Sequence, residues 1–213
     1  MTQETLGGQQ QAALALNISV VIPVYSGEAT LPTLLQELEL LTKQQVTAQG
    51  RPFQVTEVLL VWDRGPGKSD AVIRELQRKY SWVRPIWLSR NFGQHAATLA
   101  GMTSSGGDWI VTMDEDGQQD PNFIANMIDT AYTDGAQLVY GTPTNPPPHG
   151  ALRNAGSKLA KRIFVNFLAD QEFAEFNSYR LVLGEVGRSV AAYTGTGVYL
   201  DVALSWVVAD VTT

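Results

Sequence analysis

Two apolar patterns take turns along this chain. "ISVVIPVY" (Ile18–Tyr25) is a near-continuous apolar run, the pattern of a strand buried on both faces. Behind it, Leu31, Leu34, Leu35, Leu38 and Leu41 recur at helical spacing, with Thr30 placed to cap the helix and Pro32 in its first turn. The pairing then repeats. "EVLLVWD" (Glu57–Asp63) predicts a second buried strand, followed by the loop "RGPGKSD" and a helix to about Tyr80, with Ser69 as its cap. "VRPIWLS" predicts a third strand and "NFGQHAATLAGM" opens a small-residue helix. "DWIVTMD" predicts a fourth strand. Phe123, Ile124, Met127, Ile128 and Ala131 mark the helix behind it, and "AQLVYG" a fifth strand.

Alternating buried strands and helices predict an α/β fold, a mostly parallel sheet with helices on both faces. Ligands of such sheets bind beyond the carboxyl ends of the strands. Pro23 to Glu28, Asp63 and Asp114 to Asp116 all lie at or just past such ends, so they are expected to converge on one crevice. "TPTNPPPHG" (Thr142–Gly150) breaks the pattern, because its prolines forbid a helix. After it, Leu152, Ala155, Leu159, Ile163 and Phe167 form an apolar stripe, while Arg153, Ser157 and Lys161 share another face. No repeat and no second domain is visible in the 213 residues.

Composition narrows the chemistry. Cysteine is absent, which excludes disulfide and thiolate chemistry. The net charge of -6 argues against a nucleic-acid partner. Its distribution says more: no Lys or Arg occurs between Arg90 and Arg153, an interval that carries Asp108, Asp114, Glu115, Asp116, Asp120, Asp129 and Asp134. Arg153, Lys158, Lys161 and Arg162 then follow together. An acidic half suits a cation and a basic patch an anionic partner. Residues 1–17 read as a flexible polar lead-in, without a signal peptide's basic start or apolar core. No apolar run reaches the roughly 18 residues of a membrane span.

The densest chemistry is in "WIVTMDEDGQQDP" (Trp109–Pro121). Asp114 and Asp116, one residue apart at a strand end, fall on one side of an extended chain. With Gln118 they offer hard oxygen ligands to Mg²⁺ or Mn²⁺. An acidic surface loop has the same composition; the position after a buried strand favours the cation. With no basic residue nearby in sequence, a metal is the economical way to neutralise a bound diphosphate. Arg90, Asn91 and Gly93 precede a helix N-terminus, which favours anions, and His95 sits in its first turn as a ligand or a packed side chain. No G-x-G-x-x-G follows the first strand, which argues against a dinucleotide-binding dehydrogenase.

"VVIPVYSGEATLPTLLQEL", "VLLVWDRGPGKSD" and "LSRNFGQHAATLAG" followed by "MDEDGQQDP" resemble glycosyltransferase family 2, inverting nucleotide-sugar enzymes of the GT-A fold. The similarity spans about Ile18 to Arg188. It is strongest to the branch of bacterial undecaprenyl-phosphate sugar transferases and dolichol-phosphate mannose synthases. The resemblance implies a GT-A-like catalytic domain over 18–213. Pro23, Tyr25 and Glu28 would line a nucleoside pocket, and Asp63 would bond the base, for which uracil with its N3–H donor is favoured. Gly93 and His95 would stand near the donor. Asp116 would be the principal metal ligand with Asp114 and Gln118 beside it, and Glu115 would face the sugar or solvent. The family's second Asp after the second strand is replaced here, in "WDRGPGKSD", leaving Arg64 and Lys68 to contact phosphate or face water.

"LRNAGSKLAKR" retains the branch's Arg and Ser four residues apart, as Arg153 and Ser157, which implies a binding site for the acceptor phosphate. The branch's Arg after the fifth strand is absent from "GTPTN". "FNSYR" resembles another element near the acceptor, with Arg180 either on a phosphate or buried. The expected reaction is sugar transfer from a nucleoside diphosphate sugar to a polyprenyl phosphate, at the cytoplasmic face of the plasma membrane. A phosphate acceptor is already ionised and needs no strong base. Two alternatives stay open: transfer to a saccharide hydroxyl with Glu172 or Glu175 as base, and a sugar-nucleotide-binding domain without turnover. Membrane members of the branch continue past the point where this chain stops, which implies a shortened chain or a short relative. The segment "YLDVALSWVVADVTT" is then either core or an apolar contact surface.

Overall fold

The computed structural model describes residues 14–141, 177–195, 197–208 and 211–213. Strand β1 (Leu16–Val24) is the axis of the sheet and starts two residues before the expected Ile18. It pairs in parallel with β3 (Pro52–Trp62) on one side and β5 (Trp109–Thr112) on the other. Beyond β3 lie β4 (Val83–Trp87), parallel, and the short antiparallel β2 (Gln45–Val46). The first four expected strands therefore stand in the spatial order third, second, first, fourth.

The fifth expected strand, β6 (Leu138–Tyr140), does not adjoin β5. Strand β7 (Arg180–Leu183) lies between them, antiparallel to both, and β8 (Val211–Thr212) adds to β6 in parallel. The sheet is mostly parallel, with an antiparallel insertion next to the strand that carries the acidic motif. Arg180 belongs to that insertion.

Alternation along β1 explains the two cores. Val20, Ile22 and Val24 enter one apolar cluster and Val21 the other, because successive strand residues face opposite sides of a sheet. The first cluster holds α1 (Leu31–Leu41), α2 (Ser69–Lys79) and α4 (Ile124–Asp134) against the sheet. The second holds α3 (Gln94–Ser104), α5 (Gly184–Tyr193) and α6 (Leu200–Ser205). All five leucines expected on the inner face of α1 are buried. Truncating one of them, such as Leu35, should cost about 2–5 kcal/mol.

Two expected helix caps are used differently. The Thr30 hydroxyl donates to the carbonyl oxygen of Glu115 at 2.5 Å, rather than capping α1. Ser69 is the first residue of α2, and its hydroxyl donates to Glu28. Both hydroxyls tie strand-end loops together. The C-terminal segment divides: Leu200, Ala203, Leu204 and Val208 are core, while Trp206 and Val207 are exposed. Among the described residues no helix is long and apolar enough to cross a membrane.

Candidate active site

A cleft of about 460 Å³ opens where β1, β3 and β5 end, within the size range of small-molecule sites. Of the expected site residues, Pro23, Tyr25, Asp63, Gly93, Asp114, Glu115 and Asp116 line it, together with Val24, Asn91 and Gln94. Carboxylates from two strand ends thus line one cleft.

Loop-to-loop bonds set the shape of the cleft. Glu115, expected to face the sugar or solvent, lines the cleft and also serves as a latch. Its carboxylate accepts the backbone N–H groups of Tyr25 at 3.1 Å and Ser26 at 2.9 Å, locking the loop after β1. Burial raises its pKa, against the opposing effect of those two bonds. Asp63, itself buried, accepts the N–H groups of Phe92 at 2.7 Å and Gly93 at 2.8 Å and so fixes the approach to α3. Gly93 turns that approach into the helix with φ +89°, a conformation that disfavours other residues. The loop after β3 crosses the loop after β1 closely enough that a Cβ at Gly65 would lie 1.6 Å from the Tyr25 carbonyl oxygen.

Three expected site residues sit off the lining. Glu28 accepts the Ser69 hydroxyl at 2.5 Å, a bond that lowers its pKa, and braces the loop after β3. His95 packs against the ring of Tyr199, with centroids 4.0 Å apart. Burial lowers its pKa and favours the neutral imidazole. Gln118 is exposed, and only its backbone N–H reaches Asp116, at 3.0 Å. The glutamine that joins the acidic motif is instead Gln119. Arg64 and Lys68 are exposed, with Arg64 over the Trp62 ring. Arg153, Ser157, the Thr142–Gly150 loop, Glu172 and Glu175 lie outside the described residues.

The two aspartates of the motif differ. Asp114 is enclosed. Gln94 donates to its Oδ1 at 2.5 Å, while Ser178 and, at 3.3 Å, Gln119 donate to its Oδ2. Burial raises its pKa and the nearby Asp116 adds to the rise, against the bonds from Ser178 and Gln94 and the charge of Arg180. Asp116 is exposed and faces the cleft. Sequence reasoning missed Gln94, Gln119 and Ser178. All three stand within two residues of ones it singled out, Ser178 inside "FNSYR"; what the sequence does not display is that Ser178 meets Asp114 across 64 positions of chain.

Among the described residues no three His, Cys, Asp or Glu side chains are grouped to hold a metal ion. The donor set still fits a hard divalent cation. Asp116 offers oxygens with unused lone pairs, and Mg²⁺-type sites take one or two carboxylates and complete their shell with phosphate and water.

Arg180 does not face the cleft. It is 5% exposed and forms a two-pronged ion pair with Asp201, at 2.7 and 2.9 Å. Of the two expected roles, the buried one is observed.

Known proteins point the same way. One curated relative, the undecaprenyl-phosphate 4-deoxy-4-formamido-L-arabinose transferase of Pseudomonas aeruginosa (strain LESB58), is 40% identical over 115 residues, covering 54% of this chain and 32% of that protein. Its namesake in Salmonella choleraesuis (strain SC-B67) is 34% identical over 184 residues, covering 85% of this chain and 50% of that protein. The chain thus spans at most about half the length of these relatives. The solved structure of the mannosyltransferase PcManGT from Pyrobaculum calidifontis, in complex with GDP-Man and Mn²⁺, superposes with a TM-score of 0.61 at 13% identity, covering 94% of this chain and 55% of that one. This likeness identifies the fold as GT-A. The family model described as "Glycosyl transferase family 2" matches residues 19–186. That match runs from β1 into α5 and takes in every loop that lines the cleft, and by it the chain belongs to glycosyl transferase family 2.

Proposed function

We propose that this domain transfers a sugar, with inversion, from a nucleoside diphosphate sugar to a polyprenyl phosphate. The observation that carries the reading is the convergence of Asp63, Asp114 and the exposed Asp116 on one cleft at the ends of parallel strands. Its family and the named activity of its relatives support the acceptor class.

In this reading Tyr25 and Asp63 border the nucleoside, and the unused lone pairs of Asp63 accept an N–H of the base. A UDP-sugar is favoured, since uracil presents one such donor. Asp114, held by three donors, meets the sugar side of the nucleotide. Asp116 is the principal ligand of Mg²⁺ or Mn²⁺. A bound cation would supply charge stabilisation to the departing diphosphate. An oxygen of the acceptor phosphate forms the new bond to the anomeric carbon as the bond to the diphosphate breaks on the opposite side. A phosphate monoester has its second pKa near ~6, so no protein base need remove a proton first. His95 packs on Tyr199 and does not line the cleft. Arg153 and Ser157, four residues apart in a basic stretch of sequence, would orient the acceptor phosphate. A lipid acceptor and a nucleotide-sugar donor together assign the work to the inner face of the plasma membrane, by peripheral contact.

Calorimetric titration of UDP and of GDP, with and without Mn²⁺ or Mg²⁺, tests the reading in the wild type and Asp116→Ala. Metal-dependent binding of UDP that the substitution removes is expected. Binding of GDP alone would keep the reaction and change the donor. Binding of neither would overturn the reading. Transfer to undecaprenyl phosphate then separates an active enzyme from a silent nucleotide-binding domain.

A further inference from the structure

We infer that Ser178 is a positioning residue for the Asp114 carboxylate and that Asp201, on α6, holds it there through Arg180. This rests on the reading of the cleft as a sugar-nucleotide site. Four elements remote in sequence form one continuous chain of polar contacts. The Asp201 carboxylate, 1% exposed, takes both prongs of Arg180 and the hydroxyl of Tyr140, the latter at 2.9 Å. Arg180 Nη1 reaches the Thr112 hydroxyl at 3.3 Å and the Ser178 carbonyl at 3.4 Å. Thr112 in turn donates to that same carbonyl at 2.6 Å. With its backbone held from two sides, Ser178 donates its hydroxyl to Asp114 Oδ2. Gln119 closes the ring. Its amide N–H donates to the Ser178 oxygen at 2.8 Å, and its carbonyl oxygen accepts the backbone N–H of Asp114 at 2.8 Å.

The arrangement is costly unless it does something for Asp114. A guanidinium and a carboxylate buried together gain little net stability over an apolar pair. What this pair supplies is direction. Two donors hold the Ser178 carbonyl and so fix the backbone that carries the hydroxyl. Bonds from Ser178, Gln119 and Gln94 then fix both oxygens of Asp114. Helix α6, remote from the cleft in sequence, thereby sets the angle of a cleft carboxylate.

The test compares the wild type with Ser178→Ala, Ser178→Thr and Asp201→Asn. Crystals grown with Mn²⁺ and UDP or GDP, whichever binds, read the Asp114 carboxylate directly. Transfer to undecaprenyl phosphate reads kcat, and calorimetry reads nucleotide affinity and the fraction of binding-competent protein. In Ser178→Ala and Asp201→Asn the carboxylate should rotate and kcat per competent molecule should fall about tenfold, below the loss for a full 1 Å misplacement. Nucleotide affinity should stay within about twofold, Ser178→Thr should restore kcat, and the double variant should be no slower than the slower single one. If Asp201→Asn yields no folded protein, Tyr140→Phe replaces it, removing one bond from that carboxylate and no charge, with a smaller drop in kcat expected. An unmoved carboxylate or an unchanged kcat in Ser178→Ala would overturn the inference. A wild type that binds nucleotide but transfers no sugar would overturn the functional reading alone, and the carboxylate position in the variants would still decide the inference.

Discussion

Two carboxylate sites in this molecule are built to opposite ends. Glu57, partway along β3, is buried and has a partner for each demand: the Ser19 hydroxyl at 2.7 Å, the Gly106 N–H at 2.6 Å and the Arg84 guanidinium. Burial pushes its pKa up, but those three groups outweigh it and the net shift is downward. In the cleft, Asp114 and Glu115 are shifted upward, because burial and mutual repulsion outweigh their hydrogen bonds. Each carboxylate site accepts a backbone N–H from a neighbouring loop. Among the described residues the difference is whether a basic side chain pairs with the carboxylate: Arg84 does so at Glu57, and none is bonded to Asp114 or Glu115. A paired carboxylate fastens the fold; in the proposed reading the unpaired ones are left for a cation that arrives with the ligand.

The largest expected effect that sharpens this contrast is on Asp116. Asp116→Asn keeps the shape and removes the charge, and should reduce transfer by about 10²-fold or more. Its thermal unfolding should match the wild type, because the side chain is exposed. A large loss of stability would place Asp116 with Glu57 and break the comparison. Glu57→Ala should do the reverse. It strands the Ser19 hydroxyl, the Gly106 N–H and part of the Arg84 charge, at a cost of about 2–4 kcal/mol in urea unfolding. Nucleotide affinity at 25 °C should not change.

Glu115→Gln should fall between these two. One oxygen still accepts an N–H from the Tyr25–Ser26 loop, while one charge leaves the acidic cluster. Nucleotide binding should weaken about fivefold, measured calorimetrically, for the loss of roughly one charge-assisted bond. The smallest effect is on pH dependence. The folded pKa of Glu57 lies below its ordinary 4.5, so its stabilisation is fully present above that value and is lost as pH falls through the folded pKa. Asp114 and Glu115 have raised pKa values, so their ionisation costs stability at neutral pH, and the cost is relieved as pH falls through those values. In urea unfolding from pH 7 to pH 3, Glu57→Gln should flatten the acid loss of stability, whereas Asp114→Asn should steepen it.

Much of this was legible in the residues, and the reason is local. The inner stripe of α1 and the double burial of β1 depend on spacing within one element, and spacing is what a sequence displays. The cleft was legible for a related reason: strand ends in a parallel sheet share one edge, so Asp63 and the "MDED" run could be brought together without knowing which strands are neighbours. Neighbour relations themselves were not legible. "RLVL" at Arg180–Leu183 is too short to announce a strand, and no periodicity says that it inserts between β5 and β6. For the same reason His95, Glu28 and Gln118 were assigned to the cleft from their place beside it, while their side chains turn to Tyr199, to Ser69 and to the exterior.

Hydrophobic period and backbone geometry dictate the alternation of strands and helices, the faces they bury and the acidic strand end that marks the site. Packing alone brings Glu115 to the loop after β1, Arg180 to Asp201 and Ser178 to Asp114. Each of those depends on which groups meet across 21 to 90 residues of chain. A carboxylate's role is set by the charges and donors that packing brings to it.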